Sequence, residues 1–267
     1  MALDLNGARA LLTGASGGIG NAIARALHAR GASLAITGRR ADALEALKAE
    51  LGDRVEVLQA DLAVRDDVEA LPGRAGAVDL LVANAALPAS GRLDSFTPEQ
   101  LDRAIDVNLR APVQLAHALV PGMLARGKGH VVLVSSLSGK VAAGGASVYS
   151  ATKFGLRGFG MSLHDELHGT PVGVTTVFPG FIRDAGMFAE ADIELPKGVG
   201  TRTPEQVADA VIEGIAKNRA EIDVAPLTLR AGGWISGAAP AALAALNRRM
   251  GGGEVAENLA AGQSEKR

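Results

Sequence analysis

Short runs that are apolar at nearly every position alternate along the chain with longer stretches in which apolar residues recur at helical spacing. The runs are Ala8 to Thr13, Ser33 to Thr37, Val55 to Ala60, Val78 to Ala83, His130 to Ser135 and Val172 to Phe178. Strands without polar alternation are buried on both faces. Separated by helices, they build a parallel sheet with a helical layer on each side. The pattern therefore predicts an α/β protein with a doubly wound parallel sheet in three layers, α/β/α.

Two helix starts are explicit. Thr97-Pro98-Glu99-Gln100 and Thr203-Pro204-Glu205-Gln206 each place a capping residue, proline at the first helical position and glutamine at the third, the makings of a capping box. The first predicts a long helix toward Arg126 with Pro112 inside it. Proline has no N–H, so the carbonyl of Asn108 loses its helical partner there. From Asp184 to Gly200 periodicity lapses among acidic residues, Pro196 and glycines, which predicts a substrate loop. The pattern weakens after Ala225. Residues 251–267 read as a flexible tail, leaving 1–250 as a single domain.

Composition narrows the partners. The 267 residues are 48% hydrophobic, enough for a substantial core, and 27 basic against 29 acidic side chains give a formal charge of −2. That balance offers no broad footprint for nucleic acid or an anionic membrane, so a small molecule is the expected partner. The chain has no cysteine, which excludes disulfides, thiolate metal ligands and cysteine nucleophiles. No metal site is expected. Asp4 interrupts the first residues and no apolar stretch reaches spanning length, so a cytoplasmic protein outside the membrane is expected.

The chemistry starts directly after the first strand, at Thr13-Gly14-Ala15-Ser16-Gly17-Gly18-Ile19-Gly20, followed by a helical run from Asn21 to Ala29. Glycines let a main chain approach a pyrophosphate closely, and the free amides at the helix start stabilise its charge. Methyltransferases use glycine turns too, so this motif alone leaves the ligand open. The second strand ends in Thr37-Gly38-Arg39-Arg40. There an acidic residue would bind the ribose hydroxyl of NAD, whereas Arg39 suits a 2′-phosphate. NADP is the preferred reading and NAD stays possible, since both arginines could instead be solvated residues opening the next helix.

Tyr149, the only tyrosine, and Lys153 lie four residues apart, on one helix face. An ammonium beside a phenol favours the phenolate, and the spacing predicts a lowered tyrosine pKa and an acid/base role. Ser136 follows a buried-type strand, whose carboxyl end is where open α/β sheets bind ligands, and its hydroxyl can hold a substrate oxygen. The freed carbonyl of Asn108 could hold a water leading from Lys153 to solvent.

Together, Thr13-Gly14-x-x-x-Gly18-x-Gly20, Asp61-Leu62, Asn84-Ala85-Ala86, Asn108, Ser136, Tyr149-x-x-x-Lys153 and Pro179-Gly180 resemble the short-chain dehydrogenase/reductase family in its compact form, from about Arg9 to Asp223. The resemblance implies a Rossmann fold and an NAD(P)-dependent oxidoreductase that interconverts a ketone or aldehyde and an alcohol. It implies a tetrad of Asn108, Ser136, Tyr149 and Lys153. Cofactor contacts would come from Gly14, Ser16, Gly18, Ile19 and Gly20, from Arg39, and from Asp61 and Leu62 beside the adenine. Asn84, Ala85 and Ala86 would support the cofactor from the fourth strand, Tyr149 and Lys153 would touch it, and Pro179, Gly180 and Ile182 would line the nicotinamide pocket.

Two positions depart from the family pattern. Ala86 stands where glycine is usual, which is expected to tighten that turn, and Asp184 stands where threonine is common. Val141 to Val148 with Phe181, Met187 and Phe188 would wall an apolar pocket for a hydrophobic substrate. The resemblance also implies a homodimer or homotetramer, paired through the helices beginning near Thr97 and Tyr149. A catalytically idle redox sensor and an epimerase or dehydratase of the related longer family remain as alternatives.

Overall fold

The computed structural model describes residues 3–189 and 200–239, with isolated positions 241, 245 and 262. Seven parallel strands form one sheet in the order β3-β2-β1-β4-β5-β6-β7. They are β1 (Arg9–Thr13), β2 (Ser33–Thr37), β3 (Val55–Val57), β4 (Leu80–Ala83), β5 (Gly129–Val134), β6 (Val172–Pro179) and β7 (Glu221–Val224). Strand order reverses between β1 and β4, so a crevice opens at their carboxyl ends.

One face of the sheet is covered by α1 (Gly18–His28), α2 (Ala41–Leu51) and α8 (Pro204–Lys217), which bury Ile23, Leu27, Leu44, Val207 and Val211 against it. The other is covered by α3 (Arg65–Ala75), α5 (Ala111–Arg126) and α6 (Ser147–Glu166), through Val68, Leu71, Leu115, Leu119 and Leu156. The predicted three-layer fold is what forms. Among the described residues no helix is long and apolar enough to cross a membrane.

Three elements differ from expectation. The third strand ends at Val57 rather than Ala60: the amides of Leu58 and Ala60 still reach the carbonyls of Ile36 and Gly38, but β2 stops at Thr37 and the ladder runs out of partner. The helix expected from Thr97 to Arg126 is three pieces. Both halves of its capping box form, as they do at Thr203. Then α4 (Pro98–Ile105) runs into a π turn, Asp106–Arg110, before α5 begins. The Ala111 amide bonds to the Asp106 carbonyl, five residues back, and Pro112 falls in the first turn of α5, where no N–H is needed. Lastly, β7 was not anticipated, because Glu-Ile-Asp-Val at a sheet edge lacks the two-sided apolar signature.

In the expected substrate loop, Gly186–Ala189 forms a helical turn, α7, while residues 190–199 lie outside the described residues. So does the tail at 251–267, apart from position 262. Where the sequence pattern weakens, α9 (Leu227–Ala238) forms.

The seating of α6 matters for the site. On β6, Thr175 and Thr176 point to opposite faces, and each meets a glycine of the crossing helix, Gly214 of α8 and Gly160 of α6. A methyl group on Gly160 would lie 2.2 Å from Thr176 Oγ1. Gly160→Ala should therefore cost about 1–3 kcal/mol in urea unfolding, and adding Thr176→Ala should recover most of that loss.

His130, fully buried in β5, places Nε2 2.9 Å from Thr175 Oγ1 while Nδ1 has no partner. Burial, helped by the charge of His164, pushes its pKa down to about 3. The unfolded ring takes up a proton below about pH 6.5 and the folded ring does not, so stability present above that pH is lost as pH falls. Between pH 7 and 5 the loss should be about 2 kcal/mol. His130→Gln should flatten that part of the stability curve, measured by urea midpoints.

Candidate active site

The sequence motifs converge on the carboxyl ends of β1, β4, β5 and β6. Gly14 adopts φ +66°, and a Cβ there would lie 2.7 Å from the Ala85 Cα. The Thr13 hydroxyl accepts from the amides of Asn84 and Ala85, both at 3.0 Å, while the Asn84 side chain donates to the carbonyls of Thr13 and Gly14 at 3.1 and 3.2 Å. These bonds tie the glycine turn to the end of β4. Ala86 fits there without a left-handed backbone, so the expected tightening does not become strain.

Helix α1 starts at Gly18 with no side-chain cap and no acidic residue in its first turn. Uncapped amides at a helix start form an anion site. A Cβ on Gly20 would come within 2.2 Å of the Gly14 carbonyl oxygen, and one on Gly18 within 2.3 Å of the Ala185 Cβ. Both glycines are required by the chain's own packing, and the uncapped amides beside Ser16 and Ile19 are what fit a pyrophosphate.

At the end of β2 both arginines are exposed. Arg40 donates to the Ser16 carbonyl at 2.5 Å, and the Arg39 carbonyl accepts from Gln59 at 3.0 Å. Arg40, the exposed residue that opens α2, is thus also tied to the glycine turn. Asp61 receives the Ala63 amide at 3.0 Å, beside buried Leu62, and its other oxygen is 3.7 Å from Arg103 of α4. Nothing in the sequence pattern pointed to Arg103.

Ser136, Tyr149 and Lys153 are brought to one place, and the π turn that carries Asn108 packs against α6. Asn108 is fully buried in the π turn, and its side chain is committed to Leu87: Oδ1 accepts from the amide at 2.7 Å and Nδ2 donates to the carbonyl at 2.9 Å. Pro112 has no N–H to offer the main-chain carbonyl of Asn108. Ser136 caps the short 3₁₀ turn Leu137–Gly139, accepting the Ser138 amide at 3.1 Å. Lys153, 1% exposed, donates to the Val134 carbonyl at 3.2 Å and sits 5.6 Å from the centre of the Tyr149 ring. Ser135, not singled out in the sequence, donates to the Lys153 carbonyl at 3.2 Å and so fixes the helix against the strand.

The electrostatics overturn one expectation. Burial pushes the Tyr149 phenol up to about 12, against the opposing hydrogen bond with Ser136. Burial also pushes Lys153 down to about 8. The ammonium lies near the ring and is spent on a carbonyl, so desolvation governs the phenol in the protein alone. Tyr149 is thus a neutral proton donor across the physiological range, suited to an oxygen that acquires negative charge.

The expected pocket wall is only partly assembled. Val148 packs into a small core with Ala89 and Ala104, whereas Ala142, Ala143 and Gly144 are exposed. The Phe181 and Phe188 rings lie 5.1 Å apart at 60°. Pro179 ends β6 and the Gly180 amide bonds to the Val224 carbonyl at 3.0 Å. Ile182 carries its side chain into the main core and bridges Arg202, so it cannot wall a pocket with that side chain. Asp184 is exposed, at φ +68°, 3.5 Å from Arg183.

Known proteins are similar to this chain. A family model for short chain dehydrogenase matches residues 8–195. Nodulation protein G of a Rhizobium species is 42% identical over 186 residues, covering 68% of this chain and 76% of that protein. An NADP-dependent 3-hydroxy acid dehydrogenase of Escherichia coli is 34% identical over 214 residues, covering 75% of this chain and 86% of its own. Among solved structures, a short-chain dehydrogenase from Sphingobium yanoikuyae in complex with NADPH superposes with a TM-score of 0.77 at 31% identity, covering 88% of this chain and 94% of its own. The glycine cradle, the buried lysine beside the tyrosine and these likenesses place the chain in the short-chain dehydrogenase family, as a nicotinamide-dependent oxidoreductase.

Proposed function

We propose that the protein reduces a ketone or aldehyde, or oxidises the matching alcohol, with NADP, using Asn108, Ser136, Tyr149 and Lys153. The observation that carries this reading is a phenol bonded to Ser136 with a fully buried lysine 5.6 Å from the centre of its ring. Retaining both Tyr149 and Lys153 in that geometry argues against an idle redox sensor.

When bound, the nicotinamide supplies or accepts the hydride. Gly14, Ser16, Gly18, Ile19 and Gly20 would hold the pyrophosphate, Asp61 and Leu62 the adenine, and Asn84, Ala85 and Ala86 the middle of the molecule. Pro179, Gly180 and the main chain at Ile182 would hold the nicotinamide end, and Lys153 its ribose. In reduction the Tyr149 hydroxyl gives its proton to the carbonyl oxygen while Ser136 holds that oxygen in place. Lys153 would replenish the proton and be recharged from solvent through a water held at the Asn108 carbonyl.

Preference for NADP rests on an exposed arginine at the end of β2, where no carboxylate competes. Phe181 and Phe188 favour an apolar substrate. Exposed Ile105, Leu124, Phe154 and Met161 on α4, α5 and α6 support a homodimer or homotetramer built through those helices. A single domain would carry both cofactor and substrate, in the cytoplasm.

Two measurements test the reading. Tyr149→Phe should lower kcat for carbonyl reduction by about a hundredfold or more with NADPH affinity nearly unchanged; a wild type that binds NADPH yet oxidises it with no member of a ketone and aldehyde panel would sink the proposal. Arg39→Asp should shift the ratio of kcat/KM for NADPH over NADH by about ten- to a hundredfold toward NADH, and an unmoved ratio would remove Arg39 from the cofactor site.

A further inference from the structure

Four residues after Ser136, the chain buries a lysine that the reaction does not use. Lys140 is 6% exposed; its ammonium lies 2.6 Å from Asp223 and 2.9 Å from Glu221, both on β7, and 4.0 Å from the centre of the Phe178 ring. Asp223 is completed by Arg230 of α9 at 4.0 Å. Glu221 has a second cation, Arg157 of α6, at 2.7 Å. Arg157 follows Lys153 by one helical turn and shares its face. Burial would raise the Glu221 carboxyl, but the bonds from Arg157 and Lys140 hold it below the usual range.

One carboxylate therefore holds both halves of the catalytic set. Through Lys140 it grips the turn that carries Ser136, and through Arg157 the helix that carries Tyr149 and Lys153. The turn is short and internally bonded, with the amides of Gly139, Lys140 and Val141 closing onto the carbonyls of Ser136 and Leu137 at 2.8 to 2.9 Å. A shift at Lys140 is thus transmitted to Ser136. Burying a lysine costs several kcal/mol unless it is paired, so its pairing here constrains where the turn can sit.

We propose that Lys140 and Glu221 are positioning residues, which set the separation between the Ser136 hydroxyl and the Tyr149 phenol by fastening turn and helix to β7. The proposal rests on the carbonyl-reduction reading above. It differs from a purely structural role because the cost of misplacement falls on kcat.

In Lys140→Met, kcat for ketone reduction should fall about ten- to a hundredfold, the scale of a sub-ångström to 1 Å misplacement, while NADPH affinity changes by less than about twofold. Lys140→Arg should recover most of the turnover. Glu221→Gln should lower kcat in the same direction. Lys140→Met leaves a buried carboxylate with a weakened partner, so Lys140→Met/Asp223→Asn should regain thermal stability without regaining kcat. Turnover returning together with stability, or a Lys140→Met enzyme of wild-type kcat, would overturn the proposal.

Hydrogen exchange gives a readout independent of turnover. The amides of Gly139, Lys140 and Val141 should lose protection in the double variant, while that of Asn21 in α1 keeps it. Unchanged protection at the turn would overturn the positioning role. A wild type inactive on every carbonyl would instead refute the reaction assigned, and the exchange result would still decide the positioning.

Discussion

A parallel sheet covered by helices on both faces leaves almost no place inside for polar groups, and that constraint organises the molecule. Backbone donors and acceptors are consumed by the ladders, and the side chains between layers are apolar but for a few such as His130, Thr175 and Thr176. Polar chemistry is pushed to the rim where strands end. At the carboxyl rim, groups that lost ladder partners are gathered by side chains: Thr13 takes the amides of Asn84 and Ala85, and Asn108 takes both main-chain groups of Leu87. Those bonds fasten the main chain beside the crevice where strand order reverses.

The same constraint decides how much could be read from sequence. Five strands were legible because burial on two faces writes a nearly unbroken apolar run, and edge strand β3 was legible from Val55, Val57, Leu58 and Ala60 despite exposed Glu56. The glycine turn was legible because close approach admits no side chain, as Gly14 and Gly20 demonstrate. β7 escaped because an edge strand carries charge, and its charges are the anchors of Lys140. Pro112 signalled a distortion, but not its form, a π turn in which Asn108 is buried and bonded to Leu87, a partner far along the chain. Long-range partners such as Arg103 with Asp61 leave no periodic trace at all.

Tyr149 and Lys153 illustrate where spacing misleads. Four residues apart on a helix, they share a face, yet shared face does not fix which atoms meet. The ammonium goes to the Val134 carbonyl and the hydroxyl to Ser136. Burial then moves the two groups in opposite directions, each toward its neutral form. The protein alone thus prepares a proton donor, and stabilising the phenolate needs charge that arrives from outside the chain.

That division of labour makes the seat of α6 decisive. The helix is set from three sides: Gly160 lets it close onto Thr176, Ser135 bonds the Lys153 carbonyl, and a Cβ on Gly139 would lie 2.6 Å from that same carbonyl oxygen. The first contact sets its depth against the sheet, and the others set its register along β5. None of the three supplies catalytic chemistry. A phenol whose proton must reach one substrate oxygen is useful only if its helix can neither rise nor slide, so the small residues around α6 are as much a part of the site as the tyrosine they aim.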